Sequence, residues 1–327
     1  MSSRGRFPKI NIRSKNELAK HIADKSHPYQ ERLVLINDAI NNFSDYWYDS
    51  GRSEPEKEKF VRSAIGTPLG KLLKLLNDKV LAPFDCLIPE FIFGGISGKD
   101  KNHIKADYKL LGEKRNRILL GLDIVRFFEQ IREERVISFY KKCGCSLKAA
   151  KLLAYLSCVN FGKKGGLSRY KTLARGFATS SRLAIWCNLN TFIRIDWKAR
   201  KLLRGHDPRL AIFVDDIGIS ASGVNREKIE GVSKAIETIL TEFDPNQKLP
   251  VSKEKKKICL FKDNAEHLGL KLGRKKLSMG RKTKSRKDKV CNDIRNAKTE
   301  SEKNQLLNKK KAYYRYQRQI SISSIET

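Results

Sequence analysis

Short apolar runs that end in aspartates interrupt an otherwise polar chain. Apolar residues fill most of 117–124, with Asp123 near the end of the run, a pattern that predicts a buried strand. Two further runs within 209–221 flank the adjacent residues Asp215 and Asp216, which predicts a β-hairpin with both aspartates at its turn. Another short strand pair is predicted over 267–273.

Apolar residues at helical spacing occupy much of the remaining chain. Before residue 60 they predict helices, and Ser14 is placed to cap the first of them. Further helices are predicted around 69–76, over 129–159, from about 178, over 224–243 and along a basic tail beyond 281. Helices are thus expected on both sides of the strand-forming segments.

Positive charge dominates the composition, because 68 Lys and Arg outnumber 36 Asp and Glu and give a formal net charge of +32. Solubility of a small domain requires a charge of only about 2–8, so the excess indicates a polyanionic partner. No stretch approaches the roughly 20 apolar residues of a membrane span, and the N-terminus leads into no apolar signal segment. We therefore expect nucleic acid, and no membrane, as the partner.

The cysteines favour a reducing compartment. There are seven, an odd number, and no export signal accompanies them. We therefore expect free thiols and a cytoplasmic location. Cys143 and Cys145 are two residues apart, a spacing that suits neither a zinc knuckle nor a redox pair.

The three aspartates at strand ends are the strongest chemical feature. A carboxylate in such a position is costly to desolvate unless a positive group binds it. One aspartate on a strand and a pair on a neighbouring hairpin would bring three carboxylates together, where two Mg²⁺ ions about 4 Å apart would support phosphoryl transfer to a 3′-hydroxyl. The alternative is structural, with Asp215–Asp216 as a polar hairpin turn and Asp123 as a helix cap.

Five segments carry recognisable motifs, in the order 121–131, 173–181, 213–220, 252–258 and 267–270. The first three resemble the first palm motif, the glycine motif and the double-aspartate box of bacterial reverse transcriptases of the retron and stand-alone defence-associated groups. The fourth resembles their lysine motif, and the fifth the strand before the thumb. Together they cover about 117–273.

This resemblance implies an α+β chain with the right-hand polymerase fold. The helical N-terminal region and fingers would span 1–116. An antiparallel β palm would span 117–273, with a fingers segment inserted at about 140–175, and a helical, basic thumb would span 274–327. The usual basic β-hairpin of the fingers is not apparent before residue 90, so we expect shortened or largely helical fingers.

The resemblance also implies the roles of individual residues. The catalytic residues would be Asp123, Asp215 and Asp216, and these together with Ile124 would hold two Mg²⁺ ions, or Mn²⁺. Phe128 would be a steric gate that excludes a ribose 2′-hydroxyl, the alternative being a plain core aromatic. The residues expected around the incoming nucleotide are Phe128, Arg175, Gly176 and Lys255, with Lys99, Lys101 and Lys105 as fingers candidates.

One departure from the family pattern concerns the nucleotide site, since Ala174 and Arg175 replace the family's Pro-Gln and would alter nucleotide preference. For the nucleic-acid strands, basic residues would neutralise phosphates and tyrosines would stack on bases. The alternative is that the tyrosines of the tail pack on the palm. The expected contacts are Lys253, Lys257, Arg281, Lys282, Arg315 and Tyr316.

The implied activity is RNA-directed DNA synthesis from dNTPs. A structured non-coding RNA would be the template and DNA the product, with an effector protein or a second copy of the chain as further partners. Because the retron-specific signatures match poorly at 101–108 and 267–269, we favour the defence-associated group and an antiphage role. Two alternatives stay open: template-independent or protein-primed synthesis at the same site, and an inactive RNA-binding scaffold.

Overall fold

The computed structural model describes residues 6–96, 98, 102–114, 116–168, 170–242 and 248–322. The α-helices are α1 (Lys15–Ile22), α2 (Tyr29–Asn41), α3 (Pro68–Leu75), α4 (His103–Lys109), α5 (Glu133–Lys142), α6 (Leu147–Ser157), α7 (Ser180–Leu202), α8 (Arg226–Glu242), α9 (Arg281–Asn296) and α10 (Glu300–Ile322). The β-strands are β1 (Tyr48–Asp49), β2 (Arg62–Ser63), β3 (Ile92–Phe93), β4 (Arg117–Asp123), β5 (Cys158–Asn160), β6 (Lys171–Leu173), β7 (Arg209–Phe213), β8 (Asp216–Ser222), β9 (Lys257–Leu260), β10 (Glu266–His267), β11 (Leu270–Leu272) and β12 (Leu277–Met279).

A five-stranded sheet in the order β3-β7-β8-β4-β9 carries the three aspartates. Strand β4 is buried along its whole length and pairs antiparallel with both β8 and β9. The strands predicted over 117–124 and 209–221 are therefore confirmed. Strand β3 pairs parallel with β7, so the sheet is mixed and includes a strand that precedes the predicted palm boundary at residue 117. The domain boundaries themselves stay predictions.

The two faces of this sheet belong to different cores, because successive side chains of a strand point to opposite faces. Ile118, Leu120 and Leu122 of β4 join the larger core, to which α7 and α8 also contribute. Leu119 lies on the opposite face, in a second core with residues of α4, β11 and β12 and with Ile320 of α10. Gly121 and Asp123 share the face of Leu119.

The predicted helices are present, with boundaries set by local caps. The Ser14 side chain accepts a hydrogen bond from the Glu17 amide, as predicted for the start of α1. The helical segment predicted over 129–159 is two helices, since Ser146 caps a new one at α6. All seven cysteines are free, also as predicted.

The stretch before residue 90 contains strands as well as helices, because β1 and β2 form a hairpin over 48–63. The expectation of shortened or largely helical fingers stays a prediction. A bridge between Glu54 and Lys59 continues the pairing toward the tip. The hairpin carries four acidic and four basic residues, so it lacks the basic excess by which such a hairpin is recognised in a sequence.

The basic tail folds as two helices, α9 and α10, that pack against each other. Helix α9 buries no residue, and α10 buries Ile320 in the second core. None of the helices within the described residues is both long and apolar enough to span a membrane.

Candidate active site

The three aspartates meet at one end of the central sheet. Asp123 ends β4 and is the direct register partner of Asp216, which begins β8. Asp215 lies in the tight turn before Asp216, and Val214 before it adopts a positive φ of 59°. The amide of Ile124 donates to the Asp215 carbonyl oxygen over 3.0 Å, so the backbone joins the turn to the end of β4.

Burial and mutual repulsion disfavour ionisation of this cluster. Desolvation, and next the neighbouring carboxylate of Asp215, raise the pKa of Asp216 from 3.8 to about 6. Desolvation also raises the pKa of Asp215, with repulsion from Asp123 adding to it. The ionised carboxylates therefore require positive charge nearby. A bound cation would offset both the free energy of desolvation and the repulsion between the carboxylates.

Lys255 supplies part of that charge. Its Nζ atom lies 2.9 Å from both carboxylate oxygens of Asp123 and donates hydrogen bonds to them. These bonds raise the pKa of Lys255. The Ser252 amide donates to the Asp123 carbonyl oxygen over 2.9 Å, which fixes the lysine segment to the end of β4. Lys255 was predicted to lie near the triphosphate. In this structure its ammonium group binds the Asp123 carboxylate, where a metal cation would otherwise bind.

The donor chemistry of the site fits magnesium. Carboxylate oxygens are the ligands that Mg²⁺ prefers, and the raised pKa values of Asp215 and Asp216 indicate a need for positive charge. Within the described ranges, no three His, Cys, Asp or Glu side chains stand ready-arranged around a metal position. Binding would therefore require Asp123 to exchange the Lys255 ammonium group for the ion.

Arg175 lies over the predicted steric gate. Phe128 is buried, and the Arg175 guanidinium carbon is 4.8 Å from the centre of its ring. Arg175 also donates two hydrogen bonds of 2.9 Å to the carboxylate of Glu129. Desolvation lowers the pKa of Arg175, but the bonds to Glu129 outweigh it and the net shift is upward. Sequence analysis did not single out Glu129.

The hairpin of β1 and β2 contacts the turn at Arg175 and Gly176. The Arg62 amide donates to the Arg175 carbonyl oxygen over 2.7 Å. Gly176 has a φ of +101°, and a Cβ atom added there would lie 2.3 Å from the Arg62 carbonyl oxygen. The buried Arg62 side chain lies 5.1 Å from the ring centres of both Trp47 and Phe60 and pairs with Asp49. The close approach of the Arg62 carbonyl oxygen to the turn requires glycine at position 176.

The predicted nucleic-acid contacts are scattered over the surface. Five of them are exposed: Lys253, Lys257, Arg281, Lys282 and Arg315. The sixth, Tyr316, is half-buried, and its hydroxyl is 2.9 Å from His103 Nε2, with the two rings stacked. Of the fingers candidates, Lys105 lies on α4, while Lys99 and Lys101 fall outside the described residues.

Two comparisons with known proteins bear on this geometry. A family model described as "Reverse transcriptase (RNA-dependent DNA polymerase)" matches residues 56–272, which is two thirds of the chain. The matched segment contains the three aspartates, Arg175 and Lys255. No curated protein matches the chain.

Proposed function

Because this chain belongs to the reverse transcriptase family and is therefore an RNA-directed DNA polymerase, a nucleotidyltransferase, we propose that Asp123, Asp215 and Asp216 carry its catalysis. The single observation that carries this proposal is the register of β4 and β8, which sets Asp123 directly opposite Asp216 beside the turn with Asp215. The reaction would extend a 3′-hydroxyl with dNTPs. The family implies the palm, fingers and thumb of polymerases, and the mixed helices and sheets of this chain are consistent with the α+β class.

The three carboxylates, with Ile124 beside them, are the proposed ligands of two Mg²⁺ ions. When bound, the ions would neutralise charge on the attacking 3′-oxygen and on the triphosphate. The carboxylates would hold them at the end of the sheet, where Asp215 and Asp216 are partly shielded from solvent. Lys255, released from Asp123, would then be free to reach the phosphates, where a cation stabilises the charge of the leaving pyrophosphate.

The proposed nucleotide site lies between the palm and the fingers hairpin. Phe128 would support the sugar and exclude a 2′-hydroxyl, and its burial under Arg175 leaves the ring little freedom to move aside. The Arg175–Gly176 turn would line the nucleotide site beside the base or the triphosphate. The hydrogen bond from the Arg62 amide holds the backbone of this turn in place. This arrangement supports a preference for deoxynucleotides.

The proposal is tested by primer extension. The full chain is given Mg²⁺, labelled dNTPs and an RNA template with a DNA primer, and is compared with an Asp215→Ala, Asp216→Ala variant. The exposed residue Asp45, changed to Ala, serves as a control for the loss of a carboxylate elsewhere. We expect product from wild type and from Asp45→Ala, and none from the double variant. Product from the double variant would refute the assignment.

The same assay separates the alternative functions. Extension that continues without any template would favour template-independent addition, and product that stays on the protein after denaturation would favour protein priming. RNA retained without synthesis in any variant would favour a scaffold.

We further propose that the template is a structured non-coding RNA and that the biological setting is antiphage defence. The exposed basic side chains of α9, among them Arg281 and Lys282, support an extended RNA partner. Sequencing the RNA that co-purifies with the protein would identify the template. Phage plating on cells that express wild type or the double aspartate variant would test the setting, and equal plaque numbers would refute it.

A further inference from the structure

A buried carboxylate–imidazole pair lies behind the three aspartates. Asp107 of α4 is completely buried, and His267 at the end of β10 is buried beside it. The Nδ1 atom of His267 bonds to Oδ1 of Asp107. A carboxylate accepts, so Nδ1 is the donor, and this bond fixes both the ring orientation and the tautomer.

Two glycines lie beside the imidazole. Gly121 and Gly218 are register partners on β4 and β8. Each lies two residues from Asp123 or Asp216 and therefore on the same face of the sheet as that aspartate. A Cβ atom added to Gly218 would lie 2.9 Å from Nε2 of His267 and 2.7 Å from Cδ1 of Leu110, whereas one added to Gly121 would be 3.9 Å from Cδ2 of His267. The ring thus packs against the two strands that carry the site, and only Gly218 is needed to make room for it.

The second nitrogen of the imidazole is closed off. Nε2 of His267 is buried and has no hydrogen-bond partner within the described residues, and the same is true of Oδ2 of Asp107. The residue itself also lines a cavity of about 120 Å³ at the candidate site, together with Asp123 and Asp216. A buried polar atom of this kind is rarely left unsatisfied.

We propose that His267, oriented by Asp107, is a positioning residue that holds the ends of β4 and β8, and with them Asp123 and Asp216, and so sets the affinity of the site for divalent cations. The inference rests on the proposed role of the three aspartates. Partners behind a metal ligand fix its orientation, and their removal typically costs about 10–100-fold in metal affinity or activity. A role in packing alone would instead change the free energy of unfolding and leave cation affinity unaltered.

The test measures Mn²⁺ binding to the nucleic-acid-free full chain by electron paramagnetic resonance, independently of turnover. In His267→Phe the ring still fills the space above the glycines but cannot bond to Asp107, and Asp107→Asn weakens the hold on Nδ1 at nearly constant shape. We expect the Mn²⁺ dissociation constant to rise about 10–100-fold in His267→Phe and in the same direction in Asp107→Asn. The melting temperature in the absence of metal is recorded for each protein.

The glycines supply a matched pair of variants that leave both His267 and Asp107 in place. Gly218→Ala would push against the imidazole and against the side chain of Leu110, whereas Gly121→Ala makes ordinary van der Waals contact with the ring. We expect weaker Mn²⁺ binding in Gly218→Ala and unchanged binding in Gly121→Ala. Unchanged Mn²⁺ affinity in both His267→Phe and Asp107→Asn would overturn the inference, as would losses that only follow a lower melting temperature. Failure of the proposed function would be recognised separately, because the Asp215→Ala, Asp216→Ala variant would then still synthesise DNA.

Discussion

Neutralising Glu129 tests how Arg175 is held over Phe128 at the proposed nucleotide site. The side chains of Arg175 and Glu129 are 17% and 6% exposed, and two hydrogen bonds of 2.9 Å join them. In Glu129→Gln the side chain keeps its shape but presents only one accepting oxygen. One charge-assisted hydrogen bond is therefore lost, and the guanidinium keeps its charge in a largely desolvated place.

The expected cost follows from these contacts. A hydrogen bond to a charged group contributes about 1.5–3 kcal/mol, and complete removal of one partner of a buried ion pair costs about 3–5 kcal/mol. We therefore expect Glu129→Gln to lower the free energy of unfolding by about 1.5–3 kcal/mol, and Arg175→Gln to do the same because it leaves the carboxylate unpaired. The double variant removes both charges, so the two effects should overlap rather than add.

The assay is a double-mutant cycle in urea at neutral pH, with KM for a dNTP measured on the same four proteins. The exposed helical pair Arg226 and Glu230 is a matched control, for which we expect a coupling energy of about 0.3–0.5 kcal/mol. The buried pair should couple by about 1.5–3 kcal/mol, and Glu129→Gln should raise KM if Arg175 contacts the nucleotide. A coupling no larger than that of the surface pair would refute the reasoning.

Four further changes have defined outcomes. Phe128→Ala should increase ribonucleotide incorporation relative to wild type in single-nucleotide extension, and an unchanged ratio would argue for a plain core aromatic. Gly176→Ala should lower stability by about 1–3 kcal/mol and raise KM for dNTPs, because its Cβ would meet the Arg62 carbonyl oxygen. Since the pKa of Asp216 is raised from 3.8 to about 6 in the folded state, its stabilising contribution is present below pH 3.8 and lost as the pH rises through 6. Without metal, the free energy of unfolding of wild type in urea should therefore fall relative to that of Asp216→Asn as the pH rises from 3.8 to 6. Parallel plots of this free energy against pH for the two proteins would contradict the prediction. Tyr316→Phe removes one hydrogen bond to His103 of α4 and should lower the free energy of unfolding by about 0.5–1.5 kcal/mol. An unchanged denaturation midpoint would contradict this prediction.

The location of the aspartates could be predicted because local patterns determine it. Strand β4 is mostly apolar and ends at Asp123. The apolar runs on either side of Asp215 and Asp216 contain few residues that disfavour a strand. A buried strand excludes most polar residues, so an aspartate at its end is conspicuous. The resulting hairpin and its pairing with β4 agree with the structure.

Long-range contacts account for what was missed. The hairpin of β1 and β2 has only two residues in each strand, and it is joined to the rest of the molecule by Arg62 and the Arg175 carbonyl oxygen. Its sequence contains too few strand-forming residues to predict it. Glu129 and Arg175 are 46 residues apart, and no local pattern in the sequence indicates that they meet.

The position of β4 in the sheet has a consequence for synthesis on the ribosome. Both neighbours of this central strand, β8 and β9, come later in the chain. Roughly 100 residues separate the end of β4 from the end of β8, which corresponds to about 5–20 s at the usual elongation rates. During that interval seven residues that are buried in the native protein have no strand partner and are open to aggregation. Slower growth at low temperature or added chaperone should therefore increase the yield of folded protein more than stronger expression does.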